Sequence, residues 1–351
     1  MKYLELYKEI RKSIEDGVYA YGEKLPSKRI TADKYGVSVI TAVHALELLL
    51  DEGYVASRQR SGYFVIYKAE KTSKIPALPE PQRKHKGFVK VEDFPFSSFA
   101  KTMRRVITEY GERILSKTAG FGSIELRQEI SRYLARAKGM NAPAERIVIG
   151  AGAEYLYTLA VLFFGKESTF AIENPSYGQI EKVYRSHGVV CDMLKLENDG
   201  INSEALSKTK AKILHVSPYR SYPSGASASA TKRLEYIRWV QGGDRYIIED
   251  DFESEFSKKP AESLYSLANG EKVIYINTFT KTVSPAMRMA YMVLPEKILP
   301  EFEKKLGFYS STVPAFEQFV MAQFIKNGDF ERHINKIRRK SKKPIDKQKN
   351  A

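Results

Sequence analysis

A chain of 351 residues has room for two or three domains and at least one sizeable core, and a composition 43% hydrophobic and 12% aromatic is globular rather than disordered. A single cysteine, Cys191, excludes internal disulfides and a cysteine-rich zinc site and fits a reducing cytosol. No apolar run approaches the roughly 18 residues that a membrane span needs. The formal net charge of +15 points towards nucleic acid. Much of it, however, lies in two short stretches. Residues 1–65 hold ten basic and nine acidic side chains, whereas 66–92 hold seven and three, and 331–351 hold nine and two. Charge alone therefore selects no partner.

The opening, "MKYLELYKEIRKSIEDG", is charged and amphipathic, unlike a signal peptide. Its Leu4, Tyr7, Ile10 and Ile14 recur at three- or four-residue spacing and stop at Gly17, which predicts a helix. "LPSKRITADKYG" predicts a second helix from an N-cap at Ser27 to Gly36, and "VSVITAVHALELLLDEG" a third from Ser38 to Gly53. "YVASRQRSGYFVIY" gives two strand-like runs around Arg60-Ser61-Gly62, a hairpin. Three helices and a hairpin over 1–67 are the parts of a winged helix-turn-helix.

This stretch resembles the GntR-type regulator domain, whose pattern LPS-x-R…VS-x-x-T…A-x-x-x-L…EG…G-x-x-V is matched here. The matching residues are Leu25-Pro26-Ser27, Arg29, Val37-Ser38, Thr41, Ala45, Leu49, Glu52-Gly53, Gly62 and Val65. The resemblance implies binding to double-stranded DNA. It implies that the helix from Ser38 enters the major groove and that Ser38 and Thr41 contact phosphates. Arg29, with Ser27 and Lys28 beside it, would reach backbone or base, and the wing Arg60–Tyr63, including Gly62 and Tyr63, would touch the neighbouring groove. Three positions depart from the pattern. Val39 replaces a base-reading arginine, His44 stands where another basic residue is common, and Arg60 replaces a wing glycine.

"KAEKTSKIPALPEPQRKHKG" holds three prolines and many charges and reads as an exposed linker, 68–92. From 93 to 340 helical patterns alternate with short apolar runs: "RIVIGAG", "STFAIENP", "AKILHVSP", "RYIIEDD", "KVIYINTF" and "AYMVLP". That order predicts an α/β domain with a mainly parallel sheet covered on both faces. Residues 341–351 form a basic tail. "IIEDDFESEF" ends a strand in carboxylates, where ligands bind in open α/β sheets. Lys281 follows another strand about thirty residues later. A lysine alone is most often a solvated surface residue, and "EDD" alone is most often a solvated strand end. Together, a Lys and an Asp at neighbouring strand ends are what pyridoxal phosphate needs, the lysine for a Schiff base and the aspartate for the pyridine nitrogen. A phosphate needs hydroxyls, N–H groups and a cation. Thr278 and Thr280 flank the lysine, Arg288 lies seven residues on, and "GAGAEYL" joins a strand to a helix start.

"FPFSSF", "LRQEISRYLARAKG", "ENPSYG", "YPSG", "IIEDDFESEF" and "TFTKTVSPAMRMAYMVLP" occur in the order of the MocR branch of GntR regulators, a winged helix fused to a fold-type-I aminotransferase-like domain. Nearly all of 1–339 resembles that branch. The resemblance implies pyridoxal 5'-phosphate as cofactor, Lys281 as the Schiff-base lysine and Asp250 as the pyridinium partner. It implies Thr278, Arg288 and the amides of Gly152 and Ala153 at the phosphate, and Tyr177 near the ring. It further implies a homodimer, an amino-acid or amine effector, and control of amino-acid or vitamin B6 metabolism. Departures cluster at this site. Phe252 replaces a tyrosine, Arg220-Ser221 a His-Gln pair, Ser123 an aromatic residue and Glu154 a glutamine, while Ala151 and Ala153 lack hydroxyls. The family continues into a small carboxy-terminal domain that supplies an arginine for a substrate carboxylate. Here "ERHINKIRRKSKKPIDKQKNA" runs to the last residue and is expected not to build that domain. The expectation is thus a member shortened at its carboxy terminus, without efficient amino-acid turnover. Two alternatives stay open: an aminotransferase with an appended DNA-binding domain, and a cofactor-free DNA-binding dimer.

Overall fold

The computed structural model describes residues 2–58, 61–68, 94–257 and 262–340, which fall into two compact units, one before and one after residue 84. In the first unit, α1 (Lys2–Glu15), α2 (Lys28–Tyr35) and α3 (Val39–Asp51) precede a hairpin of β1 (Val55–Arg58) and β2 (Gly62–Val65). The helix ends follow the serine and glycine punctuation. Ser27 Oγ accepts from Ile30 N and Ser38 Oγ from Thr41 N, each satisfying a donor that the first turn leaves open. Gly36, left-handed at φ 61°, closes α2 by donating to Ala32 and Asp33 carbonyls. Leu6, Tyr7, Ile10 and Ile14 of α1 pack on Ala42, Ala45, Leu46 and Leu49 of α3, with Val55 and Val65 beneath. Leu4, expected on the buried face, is 39% exposed. At 3.6 residues per turn it falls about 100° from the stripe centred on Tyr7, Ile10 and Ile14, and Leu6 takes the inward place.

The second unit is a sheet between two helical layers. Its strands are β3 (Ile147–Gly150), β4 (Phe170–Asn174), β5 (Cys191–Glu197), β6 (Gly200–Ile201), β7 (Ile213–Val216), β8 (Tyr246–Asp250), β9 (Val273–Thr278) and β10 (Ala290–Val293), in the order β3-β10-β9-β8-β7-β4-β5-β6. From β9 to β5 neighbours are parallel. β10 runs antiparallel to β9 and β3, and β6 antiparallel to β5. All residues of β3, β7, β9 and β10 are buried, as expected of strands covered on both faces. Alternate residues feed two cores. Ile149, Ile247, Tyr275 and Tyr291 join α4 (Phe96–Tyr110), α5 (Ile124–Lys138), α8 (Ser203–Lys208), α9 (Ala230–Gln241), α10 (Leu264–Leu267), α13 (Ala315–Lys326) and α14 (Asp329–Lys340). Val148, Ile248, Ile276 and Met292 join α6 (Ala153–Phe164), α7 (Gly178–Ser186) and α12 (Leu299–Leu306). β5 and β6 were not anticipated from the sequence. They form one sheet edge, where half-exposed "CDMLKLE" carries no apolar run.

Candidate functional site

In the first unit, the starts of α2 and α3 carry no acidic residue in their first turns. Lys28, Arg29, Ser38 and His44 are exposed on these helices, and so are Val39 and Ile40. Ser38 Oγ and Thr41 Oγ1 lie 2.8 Å apart, so both hydroxyls stand at the N-terminus of α3, where backbone N–H groups and the helix dipole favour a phosphate. The His44 ring meets Tyr3 edge to face, at 6.0 Å between centroids. In the hairpin, Tyr63 is half-buried and leans on the helical core. Gly62 has φ 112°, and a Cβ there would come within 3.2 Å of Lys24 Cε, which accounts for the glycine. Arg60 lies outside the described residues.

In the second unit, strand register aligns the candidate residues. Asp250, the last residue of β8, pairs with Ile276 of β9. Two residues on, Thr278 pairs with Ala290 of β10, and Ala290 pairs with Gly150 of β3. The carboxyl ends of β8, β9 and β3 and the start of β10 therefore lie along one rim. Lys281 follows in α11 (Phe279–Thr282), Arg288 precedes β10, and Gly152 caps α6 just after β3.

Asp250 is 3% exposed. Tyr157, one turn into α6, donates its hydroxyl to Asp250 Oδ2. His215 of β7 places Nε2 3.7 Å from the same oxygen, and its Nδ1 lies 2.6 Å from the Tyr184 hydroxyl. A buried carboxylate held by a phenol, with an imidazole behind it, keeps a fixed orientation. This Tyr157–Asp250–His215–Tyr184 array escaped the sequence reading. Its one visible trace is a histidine inside the otherwise apolar run "AKILHVSP". Lys281 Nζ lies 5.8 Å from the centroid of the Phe252 ring, the residue in place of a tyrosine.

At the other end of the rim, the Arg288 guanidinium packs against the N-cap of α6. A Cβ on Gly152 would meet Arg288 Nη2 at 3.3 Å, and Gly152 has φ 93°, so glycine alone admits this approach. The Gly152 N–H is closed onto the Gly150 carbonyl at 2.8 Å. Ala153 N–H instead belongs to the first turn of α6, where a helix offers no internal acceptor. Thr278 Oγ1 accepts from Thr280 N and donates to the Met289 carbonyl. Arg288 Nη2 donates to Glu154 Oε2 at 2.8 Å.

Tyr177 is the N-cap of α7, with its ring edge-on to Tyr222. Its phenol is pushed up in pKa, first by partial burial and next by the Glu154 carboxylate, with Arg288 opposing and Asp250 adding. It therefore lies within electrostatic reach of both ends of the rim. Two departures have structural roles. Ser221 Oγ donates to buried Glu173 Oε2 at 2.7 Å, and Ser123 caps α5 through Leu126 N. Arg220 Nη1 lies 3.8 Å from Glu253 Oε2. These residues fit pyridoxal phosphate: a carboxylate for a ring nitrogen, an amine for a carbonyl, and a guanidinium at a helix N-terminus for a phosphate.

The family model for gntR-family bacterial regulatory proteins matches residues 2–65, and that for class I and II aminotransferases matches 92–348. An uncharacterized HTH-type transcriptional regulator, YdeL of Bacillus subtilis (strain 168), is 30% identical over 96% of this chain and 76% of its own. The probable rhizopine catabolism regulatory protein MocR of Rhizobium meliloti is 26% identical over 95% of this chain and 74% of its own. Among solved structures, the kynurenine aminotransferase of Pyrococcus horikoshii matches with a TM-score of 0.64 at 22% identity, over 71% of this chain. The match spans 64% of that enzyme's chain, less than two thirds of its length. Among the described residues, no helix is long and apolar enough to cross a membrane.

Proposed function

The chain belongs to the MocR-type regulators, a GntR helix-turn-helix joined to a class I and II aminotransferase domain, and from that premise we propose that it binds DNA through residues 1–67 and responds to pyridoxal 5'-phosphate held in residues 93–340. Residues 68–92 are assigned as a linker and 341–351 as a basic tail. The observation that carries the cofactor half is the register that aligns Asp250, Thr278, Ala290 and Gly150 along one rim.

When bound, the cofactor supplies a carbonyl that condenses with amines and a ring that withdraws electrons. Lys281 Nζ is assigned the covalent attachment. Asp250 holds a proton on the ring nitrogen, and Tyr157, by donating to Oδ2, keeps the carboxylate aimed. Arg288, the Ala153 amide and the Thr280 hydroxyl are assigned to the phosphate, Gly152 and Thr278, whose own donors are closed onto the Gly150 and Met289 carbonyls, to shaping the turns that present them, and Tyr177 to the ring face. Ser27, Lys28, Arg29, Ser38, Thr41, His44, Arg60, Gly62 and Tyr63 are assigned to DNA. Two copies of the chain in the cytoplasm would present two reading helices to a two-part operator. An amino acid or amine reaching the cofactor would act by binding two arrangements of that dimer with different affinity.

Borohydride reduction after incubation with pyridoxal phosphate, followed by peptide mapping, tests the assignment. The label is expected on the peptide containing Lys281. Label spread over surface lysines, unchanged in Lys281→Ala, contradicts it.

A further inference from the structure

The phosphate end of the rim contains its own anion. Arg288 Nη2 donates to Glu154 Oε2 at 2.8 Å, while the same guanidinium lies against Gly152 at the start of α6. Glu154 is in the first turn of that helix, where the macrodipole stabilises negative charge. The carboxylate thus takes the guanidinium that a phosphate would take, from a place in the same first turn whose N–H groups would face the phosphate. Arg288 itself is left-handed, at φ 42° and ψ 36°, a conformation that a residue with a side chain holds where its surroundings fix it.

We propose that Glu154 is a built-in competitor for the cofactor's phosphate: its carboxylate holds Arg288 in the cofactor-free protein and gives the guanidinium up when the phosphate enters. The proposal rests on the reading of this rim as the pyridoxal phosphate site. Both side chains of the pair are partly exposed, 57% for Arg288 and 36% for Glu154. An exposed pair of this kind is weak, so it yields to a dianion. The displaced carboxylate stays tethered to the first turn of α6, close to the incoming charge of the same sign. Phosphorylated ligands therefore bind more weakly and leave more readily than they would with a neutral residue at 154. A protein that reports the concentration of free cofactor needs such reversible occupancy. An enzyme that must stay loaded does not.

The test is a pair of titrations, pyridoxal phosphate and phosphate-free pyridoxal, followed by the visible absorbance of the lysine-bound chromophore in wild type, Glu154→Gln and Glu154→Ala. Both variants are expected to bind pyridoxal phosphate about fivefold more tightly, the upper range for an exposed ion pair, and pyridoxal within twofold of wild type. An unchanged or weakened affinity for pyridoxal phosphate overturns the proposal, as does an equal gain for both aldehydes, and either leaves the cofactor reading standing. No chromophore in any of the three proteins with either aldehyde overturns the cofactor reading and the proposal with it.

Discussion

Glu173 ends its hydrogen-bonding side chain in a dry part of the fold, 3% exposed, accepting from Ser221 Oγ at 2.7 Å. Burial pushes its carboxyl up to about 8, against the bonds from Ser221 and the Ser217 backbone. The folded chain therefore keeps a proton that the unfolded chain releases above about 4.5. Stability falls as pH rises from about 4.5 to about 8 and levels off beyond, by at most about 5 kcal/mol. Glu173→Gln cannot ionise. It is expected to match wild type near pH 4.5, to be more stable at pH 8, and to flatten the dependence between them. Urea unfolding at both pH values measures this, and an equal stability difference at both would refute it. Neither this network nor Tyr157–Asp250–His215 was legible in the sequence. Tyr157 and Asp250 are 93 residues apart, and only the folded sheet makes them neighbours. That Lys281, Asp250 and Arg288 lie beside strand ends was legible because spacing along alternating strands and loops survives in one dimension. Ser221 and Ser123 registered only as losses, and their roles with Glu173 and at the cap of α5 needed the structure.

At the scale of elements, helices were read well where serine opened them and glycine closed them, as in α2 and α3. The β5–β6 edge was missed because β5 is half-exposed and lacks the apolar runs that revealed the central strands, and β6 is only two residues long. The buried stripe of α1 holds Leu6 in place of Leu4, because three-residue steps drift round the helix. The start of α3 has its own consequence. Val39 and Ile40 are exposed at 42% and 70% where a basic reader is common, so the reading surface there is apolar. Ser38 and Thr41 still offer hydroxyls to phosphates at that helix start, and Arg29 on α2 would add a charged contact. Arg29→Ala is expected to weaken DNA binding and to reduce the log–log salt slope by about 0.9, one phosphate's worth. Val39→Arg is expected to raise preference for guanine at the position it faces. Unchanged affinity and slope in the first variant, measured by fluorescence anisotropy across salt concentrations, would remove Arg29 from the interface. Unchanged sequence preference in the second would show that α3 is not the reader.

The whole molecule, as proposed, couples a DNA-reading unit to a cofactor-sensing unit in one chain. Composition and motif order suggest a division, because a proline- and charge-rich stretch separates two differently patterned regions, and the described residues fall into two compact units on either side of residue 84. Fold resemblance says nothing of coupling, since aminotransferase-like domains serve many purposes. Coupling requires that the cofactor favour one DNA-competent arrangement over another. If Lys281 carries the cofactor, removing its amine should remove the response while leaving DNA binding intact. The deciding measurement is the affinity of wild type and Lys281→Ala for their selected DNA site, with and without pyridoxal phosphate. An affinity shift of fivefold or more, the lower end of typical allosteric coupling at about 1 kcal/mol, is expected in wild type and none in Lys281→Ala. The same affinity in all four conditions, or an equal shift in both proteins, would contradict it.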